Sequence, residues 1–215
     1  LKSHLILPDS TRLLQAYHGV RFFRVDAQGV CDSMEFTSAD SLLHMYKLPI
    51  IWNENYQITG DTIRIHMNDS TIDWAFIPSA AFAAQHKDSV FYDQVSGKTL
   101  MAYFEQGELR QVDVSGNAQT IFYPQERDST LTGLNKAESG FLTMYLKNQQ
   151  MDKIIIWPQP QGSMTPLDLV KPDQLYLPAY KWYSELRPLS PDDIFRKPEV
   201  KQEVVEEEKK HRFNH

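Results

Sequence analysis

The stretch that decides the fold is TIRIHM at residues 62–67, in which apolar and polar residues alternate. Ile63, Ile65 and Met67 occupy every second position, with polar or charged residues between them. Successive side chains of a β-strand point to opposite faces of the sheet. The alternation therefore predicts a strand with one face on an apolar interior and the other face in water.

The same pattern returns twice without gaps, as TLMAYF at residues 99–104 and FLTMYL at residues 141–146. Polar stretches follow at residues 68–71, 105–108 and 147–150, and an apolar residue then comes at the same offset: Ile72, Leu109 and Met151. A second apolar pair also keeps its offset: Ala75 and Ile77, Val112 and Val114, Ile154 and Ile156. The period of about 37–42 residues is typical of repeat architectures.

Each copy predicts a strand, a four-residue turn and a returning strand. Between Ile72 and Ala75 the apolar spacing is three instead of two, and a β-bulge just after the turn accounts for this slip. Helical periodicity is weak before residue 165. The chain is therefore predicted to be all-β and antiparallel, with ten or more short strands.

Acid–hydroxyl pairs precede several of the alternating stretches. They are Asp32-Ser33, Asp40-Ser41, Asp61-Thr62, Asp88-Ser89 and Asp128-Ser129. Side chains of these types bind nearby backbone amides in turns, so the pairs are interpreted as turn residues. The alternative reading, a serine nucleophile with an orienting acid, needs a spatial arrangement that the sequence does not specify.

Composition and charge exclude several classes of function. The net charge of −6 argues against a nucleic-acid surface or a polybasic membrane patch. No apolar run reaches the roughly 18–20 residues that span a bilayer. The residues 1–8 do not resemble a signal peptide, so an export signal is expected upstream.

Motifs for enzymatic chemistry are absent from the sequence. It has no Gly-x-Ser-x-Gly elbow, no phosphate-binding glycine loop and no His-Glu-x-x-His. The seven histidines are scattered; His66 and His44 are interpreted as ordinary strand residues and not as metal ligands. Cys31 is the only cysteine and precedes Asp32, whose charge raises the pKa of a neighbouring thiol, so an inert cysteine is expected. We expect no catalytic residues, no metal site and no cofactor.

The last quarter of the chain differs from the repeats. Eight of the twelve prolines lie between Pro158 and Pro198, which prevents long regular elements there. The predicted organisation is a β-repeat domain at residues 1–165, an aromatic, proline-rich irregular cap at residues 166–198, and a charged tail at residues 199–215 that is expected to be solvated.

Three short motifs stand out in the strands: YKLPIIW at residues 46–52, QITGDTI at 57–63 and VDVSGNA at 112–118. Ala137-Glu138, KWY at 181–183 and Arg187-Pro188 accompany them. The first three motifs resemble the OstA-like family of periplasmic lipopolysaccharide-transport proteins, and the other three are similar to longer members of that family. The resemblance covers about residues 15–190. It implies a jelly roll of stacked antiparallel strands, folded into an open V, that holds acyl chains in its interior.

The resemblance also implies a site, partners and a compartment. The lipid-binding residues would be the inward-facing set: Ile63, Ile65, Met67, Leu100, Ala102, Phe104, Val112, Val114, Leu142, Met144, Leu146, Ile154 and Ile156. The partners would be lipopolysaccharide or a similar lipid, together with other transport-bridge components or further copies joined through sheet edges. The location would be the periplasm.

Two other functions are consistent with the residues alone. A closed apolar core would make the chain a structural or interaction scaffold, which physical reasoning favours because exposed apolar surface is normally minimised. A glycan-cleaving enzyme would need two carboxylates about 5–10 Å apart in a cleft. The repeat pattern does not decide between an open and a closed interior.

Overall fold

The computed structural model describes residues 1–6, 11–25, 27–68, 71–126, 130–147 and 150–196. Within these ranges the regular structure consists of seventeen strands and four short 3-10 helices, which confirms the all-β prediction. The strands are β1 (Lys2–Ile6), β2 (Thr11–Ala16), β3 (Val20–Phe23), β4 (Gln28–Cys31), β5 (Ser33–Thr37), β6 (Leu42–Tyr46), β7 (Ile50–Asn53), β8 (Tyr56–Thr59), β9 (Thr62–Asn68), β10 (Thr71–Ile77), β11 (Ala81–Asp88), β12 (Phe91–Gly97), β13 (Thr99–Glu105), β14 (Glu108–Phe122), β15 (Gly133–Lys147), β16 (Gln150–Trp157) and β17 (Gln161–Pro166). The 3-10 helices are Leu167–Leu169, Pro172–Gln174, Ser184–Leu186 and Pro191–Phe195.

The strands form one antiparallel sheet folded into two layers. Layer 1 runs β1-β2-β5-β6-β9-β10-β13-β14-β15-β16. Layer 2 runs β3-β4-β7-β8-β11-β12-β14-β15-β17. β14 and β15, fifteen residues each, belong to both layers. The prediction of a folded, jelly-roll-like sheet is confirmed.

The layers join along one edge, which we call the closed edge. Each passage from layer 1 to layer 2 contains a residue with positive φ: His18 (67°), Lys47 (58°), Ala80 (50°), Asn117 (53°) and Gln159 (51°). Non-glycine residues adopt this conformation only at a cost, so the surrounding structure must hold the corners in place. The described hairpin ends of both layers, such as Glu105 with Glu108 and Asn53 with Tyr56, lie at the opposite edge, which we call the mouth.

The acid–hydroxyl pairs occupy corners and turns. The Asp40 carboxylate accepts a hydrogen bond from the Leu42 N–H at 3.2 Å, as expected for turn chemistry. Asp32 and Asp61 lie at the closed edge and differ from the expectation, because their carboxylates bind side chains: Lys47 Nζ at 3.1 Å and Ser79 Oγ at 2.8 Å. Asp88 is the last residue of β11 and Ser89 begins the turn that follows it, and Asp128-Ser129 lies outside the described residues.

A β-bulge follows the turn in all three repeat copies. Ile72 pairs with Met67 and Trp74 with His66, which leaves Asp73 as the extra residue of β10. The pairing shifts in the same way at Arg110 of β14 and Asp152 of β16. The predicted bulge is therefore confirmed.

The second turn is shorter than the predicted four residues. Strands β13 and β14 reach Glu105 and Glu108, so only Gln106 and Gly107 connect them, with φ of 54° and 81°. Two positive φ values are typical of the tight hairpin turns that match strand twist. The other two repeat turns include residues 69–70 and 148–149, which lie outside the described residues.

Residues 167–196, here called the strap, cross the outer face of layer 2. The strap starts beside β15 and ends beside β3, so it passes from the last strands back to the first ones. Its apolar side chains, with those of layer 2, form a second cluster around Phe82, Ile121, Tyr123 and Leu177.

None of the helices in the described part of the chain has the length and apolar character that crossing a membrane requires.

Candidate functional site

The space between the layers is lined mainly by apolar side chains from both walls. Layer 1 supplies Ile, Leu, Met and Val side chains at every second position. The middle row of layer 2 combines the small residues Gly29, Ala83 and Ala137 with the bulkier Ile51, Ile58 and Val95. Side chains of both layers belong to one apolar cluster, so the layers pack face to face.

Exposure of the layer 1 wall increases from the closed edge to the mouth. In the row at the closed edge, Ile63, Leu100, Val114 and Leu142 are 1–2% exposed. In the next row, Ile65, Ala102 and Val112 are 7%, 2% and 6% exposed. At the mouth the apolar side chains are only half-buried; they are Met67, Ile72, Phe104, Leu109 and Leu146. The interior is therefore a packed core on one side and an accessible apolar trough on the other.

The thirteen predicted lipid-binding residues all face this interior and belong to one cluster. Seven are buried in the packed part: Ile63, Ile65, Leu100, Ala102, Val112, Val114 and Leu142. Six are half-buried: Met67, Phe104, Met144, Leu146, Ile154 and Ile156. The structure brings the set together but divides it: of the half-buried residues, Met67, Phe104 and Leu146 lie at the mouth, whereas Met144, Ile154 and Ile156 lie in the inner rows, on β15 and the edge strand β16.

The layer 2 wall is polar at the mouth. One cross-strand row there contains Asn53, Tyr56, Gln85 and Asp93. The Asp93 carboxylate lies 3.4 Å from Lys87 Nζ, and its other oxygen accepts a hydrogen bond from the Tyr123 N–H at 2.8 Å. Burial disfavours the charged carboxylate more than these contacts favour it, and it raises the pKa of Asp93 to about 6. Burial, then the charge of Asp93, also raises the pKa of Tyr56.

Cys31 lies in the interior cluster and is 6% exposed. Burial, then the charge of Asp32, raises the pKa of its thiol to about 11. The thiolate is the reactive form of cysteine, so this thiol is poorly suited to nucleophilic chemistry. Among the described residues, no group of three or more His, Cys, Asp or Glu side chains is arranged to hold a metal ion.

The outer face of layer 2 carries two buried glutamines that clamp the strap, and sequence reasoning missed both. The Gln57 amide donates to the Lys181 carbonyl at 2.7 Å and accepts from the Tyr183 N–H at 2.8 Å. Gln94 does the same with the Leu175 carbonyl and the Leu177 N–H, both at 2.8 Å. Each glutamine side chain therefore makes one donated and one accepted hydrogen bond with the backbone of the strap, as a neighbouring β-strand would.

A third glutamine in the same cross-strand row holds the end of the strap. Gln28 Oε1 accepts hydrogen bonds from Arg187 Nε at 2.8 Å and Nη2 at 2.6 Å. In a sequence, glutamines at alternating strand positions suggest solvent, yet Gln28, Gln57 and Gln94 are 0–3% exposed. The sequence signal for the strap contacts was the two-residue spacing of Leu175 with Leu177 and of Lys181 with Tyr183 in a proline-rich segment. That spacing alone does not identify the glutamines as partners.

The outer face of layer 1 has no such cover among the described residues. His66 stacks on Trp74 with ring centroids 5.4 Å apart, and His66 Nδ1 lies 2.9 Å from Asp73 Oδ2. This places His66 on the outward face, as predicted. A shallow pocket of about 320 Å³ lies at the closed edge, lined in part by Ser96, Lys98 and Asn117. It is separate from the trough.

No family model and no curated protein matches this sequence. Among solved structures, the chain is similar to LptH from Pseudomonas aeruginosa, described as the LptA homologous periplasmic component of the conserved lipopolysaccharide transport device. The sequences are 15% identical, the match covers 68% of this chain and 95% of LptH, and the TM-score is 0.48.

Proposed function

We propose that this chain binds the acyl chains of lipopolysaccharide, or of a related acylated envelope lipid, in the trough at its mouth. The observation that supports this most directly is the graded exposure of layer 1, where Met67, Phe104 and Leu146 remain half-buried beside a packed core. Contiguous exposed apolar surface is unusual in a protein that works alone. An acyl chain gains about 0.8 kcal/mol for each methylene that it buries.

The binding proposed here involves no covalent step. Of the predicted set, the three half-buried residues at the mouth, Met67, Phe104 and Leu146, are assigned to the lipid, and the seven buried residues hold the layers together. Transport across the periplasm, with bridge components or further copies of the chain as partners, is the extension of this proposal that the family resemblance suggests. Strands β1, β3, β16 and β17 are the sheet edges through which such partners would add.

The test compares two substitutions on one strand. Phe104 faces the trough, whereas its neighbour Tyr103 faces outward and is 40% exposed. Phe104→Asp should lower lipopolysaccharide uptake, measured by native mass spectrometry, by about tenfold or more, because a charge facing the acyl chains is costly to bury. Tyr103→Asp should leave uptake unchanged.

Two outcomes contradict the proposal. A folded wild-type protein that takes up no lipid indicates a closed interior, and the scaffold function then replaces the transport function. Equal losses in both variants indicate that the lipid contacts the outer surface of layer 1 and not the trough.

A further inference from the structure

An ion pair lies inside the mouth, on the layer 2 wall. Asp93 alternates with Val95, whose side chain belongs to the interior cluster, and Lys87 Nζ lies 3.4 Å from the Asp93 carboxylate, so the pair faces the trough. Both side chains are largely buried, with 16% and 11% of their surface exposed. Charges are rarely buried without a partner, because leaving water is costly for each of them.

Asp93 and Lys87 differ in the contacts that each makes apart from the ion pair. Asp93 also accepts the Tyr123 N–H at 2.8 Å, so the carboxyl group keeps a partner if Lys87 is withdrawn. Lys87 is the extra residue of a register shift in β11, next to the turn, and 16% of its side chain is exposed. The lysine is therefore the member that can exchange partners.

The composition of the two walls determines which part of a ligand lies next to Lys87. The mouth row of layer 1 is apolar, from Met67 through Phe104 to Leu146. The mouth row of layer 2 is polar, with Tyr56, Gln85 and Asp93. A ligand between these walls must have an apolar part against layer 1 and a polar part against layer 2.

We propose that Lys87 anchors a phosphate group carried by the bound lipid: the phosphate replaces the Asp93 carboxylate at the Lys87 ammonium, and Asp93 takes up one proton from water while it keeps the hydrogen bond from Tyr123. This inference rests on the lipid-binding function proposed above and specifies the class of ligand as phosphorylated amphiphiles. No covalent bond forms or breaks. One cation and one anion lie at the mouth before and after the exchange.

Proton uptake follows from the surroundings of Asp93. Two anions beside one ammonium would repel each other, so the carboxyl group is neutralised as the phosphate arrives. The ionisable groups around it are Lys87 on β11, Tyr56 on β8 with Glu54 beyond it, and Tyr123 after β14 with Tyr176 of the strap beyond it. Lys87 is the only basic residue among these groups, and burial already raises the pKa of Asp93 to about 6.

The experiment uses two single-chain lipids that differ in one phosphate, 1-palmitoyl lysophosphatidic acid and 1-palmitoylglycerol. Calorimetric titration of the wild-type chain should give about tenfold or more tighter binding of the phosphorylated lipid. Lys87→Met should bring the two affinities together, and Lys87→Arg should retain the difference. Lys98→Met, an exposed lysine at the closed edge, is the matched control and should behave as wild type.

Asp93→Asn tests the exchange itself. Asparagine still accepts the Tyr123 N–H but no longer competes for Lys87, so the phosphorylated lipid should bind several-fold more tightly at pH 7.5. Titrations in buffers of different ionisation enthalpy should show more proton uptake by the wild type than by the variant. The wild-type affinity should also fall more steeply between pH 6 and pH 8.

The outcomes separate this inference from the function on which it rests. If neither lipid binds, the lipid-binding function is wrong, and this inference fails with it. If both lipids bind equally well, or if Lys87→Met keeps the preference, only the role of Lys87 is overturned. Inorganic phosphate that binds as tightly as the phosphorylated lipid would overturn the lipid as the source of the phosphate.

Discussion

The closed edge and the mouth of the interior are built from the same alternating pattern, yet they differ in packing. Leu142 and Leu146 stand on one strand, face the same way and lie four residues apart. Leu142 is 2% exposed, whereas Leu146 is half-buried. The difference shows that position along the strand, and not residue type, decides whether an inward leucine serves stability or remains accessible to a ligand.

The largest effect should come from truncating these two leucines. Leu142→Ala should lower the free energy of unfolding by about 3–4 kcal/mol, because a cavity forms in a packed core. Leu146→Ala should cost about 1 kcal/mol, because less apolar area is buried there. Urea unfolding of both variants measures the contrast. Equal losses would show that the mouth is packed like the closed edge.

The second prediction concerns the strap, which supports the wall of layer 2 from outside. Gln57→Ala removes both hydrogen bonds to the strap and also the acceptor of Trp52 Nε1, 3.2 Å away in a buried position. The expected loss of unfolding free energy is about 2–3 kcal/mol. Limited proteolysis should also cut the strap faster.

Gln119→Ala is the matched control, since its amide makes a 3.4 Å contact with Glu138 at the surface. Its expected effect is within about 0.5 kcal/mol. A strap that resists proteolysis equally in both variants would show that its apolar contacts, and not the glutamine clamp, hold it.

The third prediction uses the buried acid at the mouth. Because the pKa of Asp93 is about 6 in the folded chain and near 3.8 in the unfolded chain, only the unfolded state releases its proton between these pH values. This contribution to stability is complete below pH 3.8 and is lost as the pH rises through 6. The loss should amount to about 2–3 kcal/mol.

Urea unfolding between pH 4 and pH 7.5 measures this dependence, and Asp93→Asn should flatten it. A variant with the wild-type pH dependence would assign the effect to another group. At the closed edge, by contrast, the pKa of Asp32 is lowered, mainly because of its hydrogen bond with Lys47.

The last prediction compares how fast a thiol is alkylated at the closed edge and at the mouth. Of the changes predicted here, its substitutions should affect stability least. Cys31 is buried and the pKa of its thiol is about 11, so native alkylation should be slow. Phe104→Cys in a Cys31→Ser chain places the thiol at the mouth, where alkylation should be faster, on the order of a hundredfold. Similar rates would show that the closed edge opens as readily as the mouth.

The sequence predicted what depends on local alternation. The inward side chains of Ile63 and Ile65 and the bulge after Ile72 followed from period-two spacing, because a strand has no other way to place them. The corner conformations at Lys47 and Ala80 were not predictable, since these residues do not favour positive φ and only the folded sheet imposes it. Gln57 and Gln94 were missed because their partners lie 81–126 residues away.

The path of the strap has a consequence for how the protein unfolds. In a row of repeats, each unit contacts only its neighbours, so the ends can separate first. Here Arg187 contacts Gln28 across 159 residues of sequence, and the strap touches strands throughout layer 2. The strands before the first repeat are thereby coupled to the segment after the last one, so we expect slow folding, as for other proteins rich in distant contacts, and a single cooperative unfolding transition.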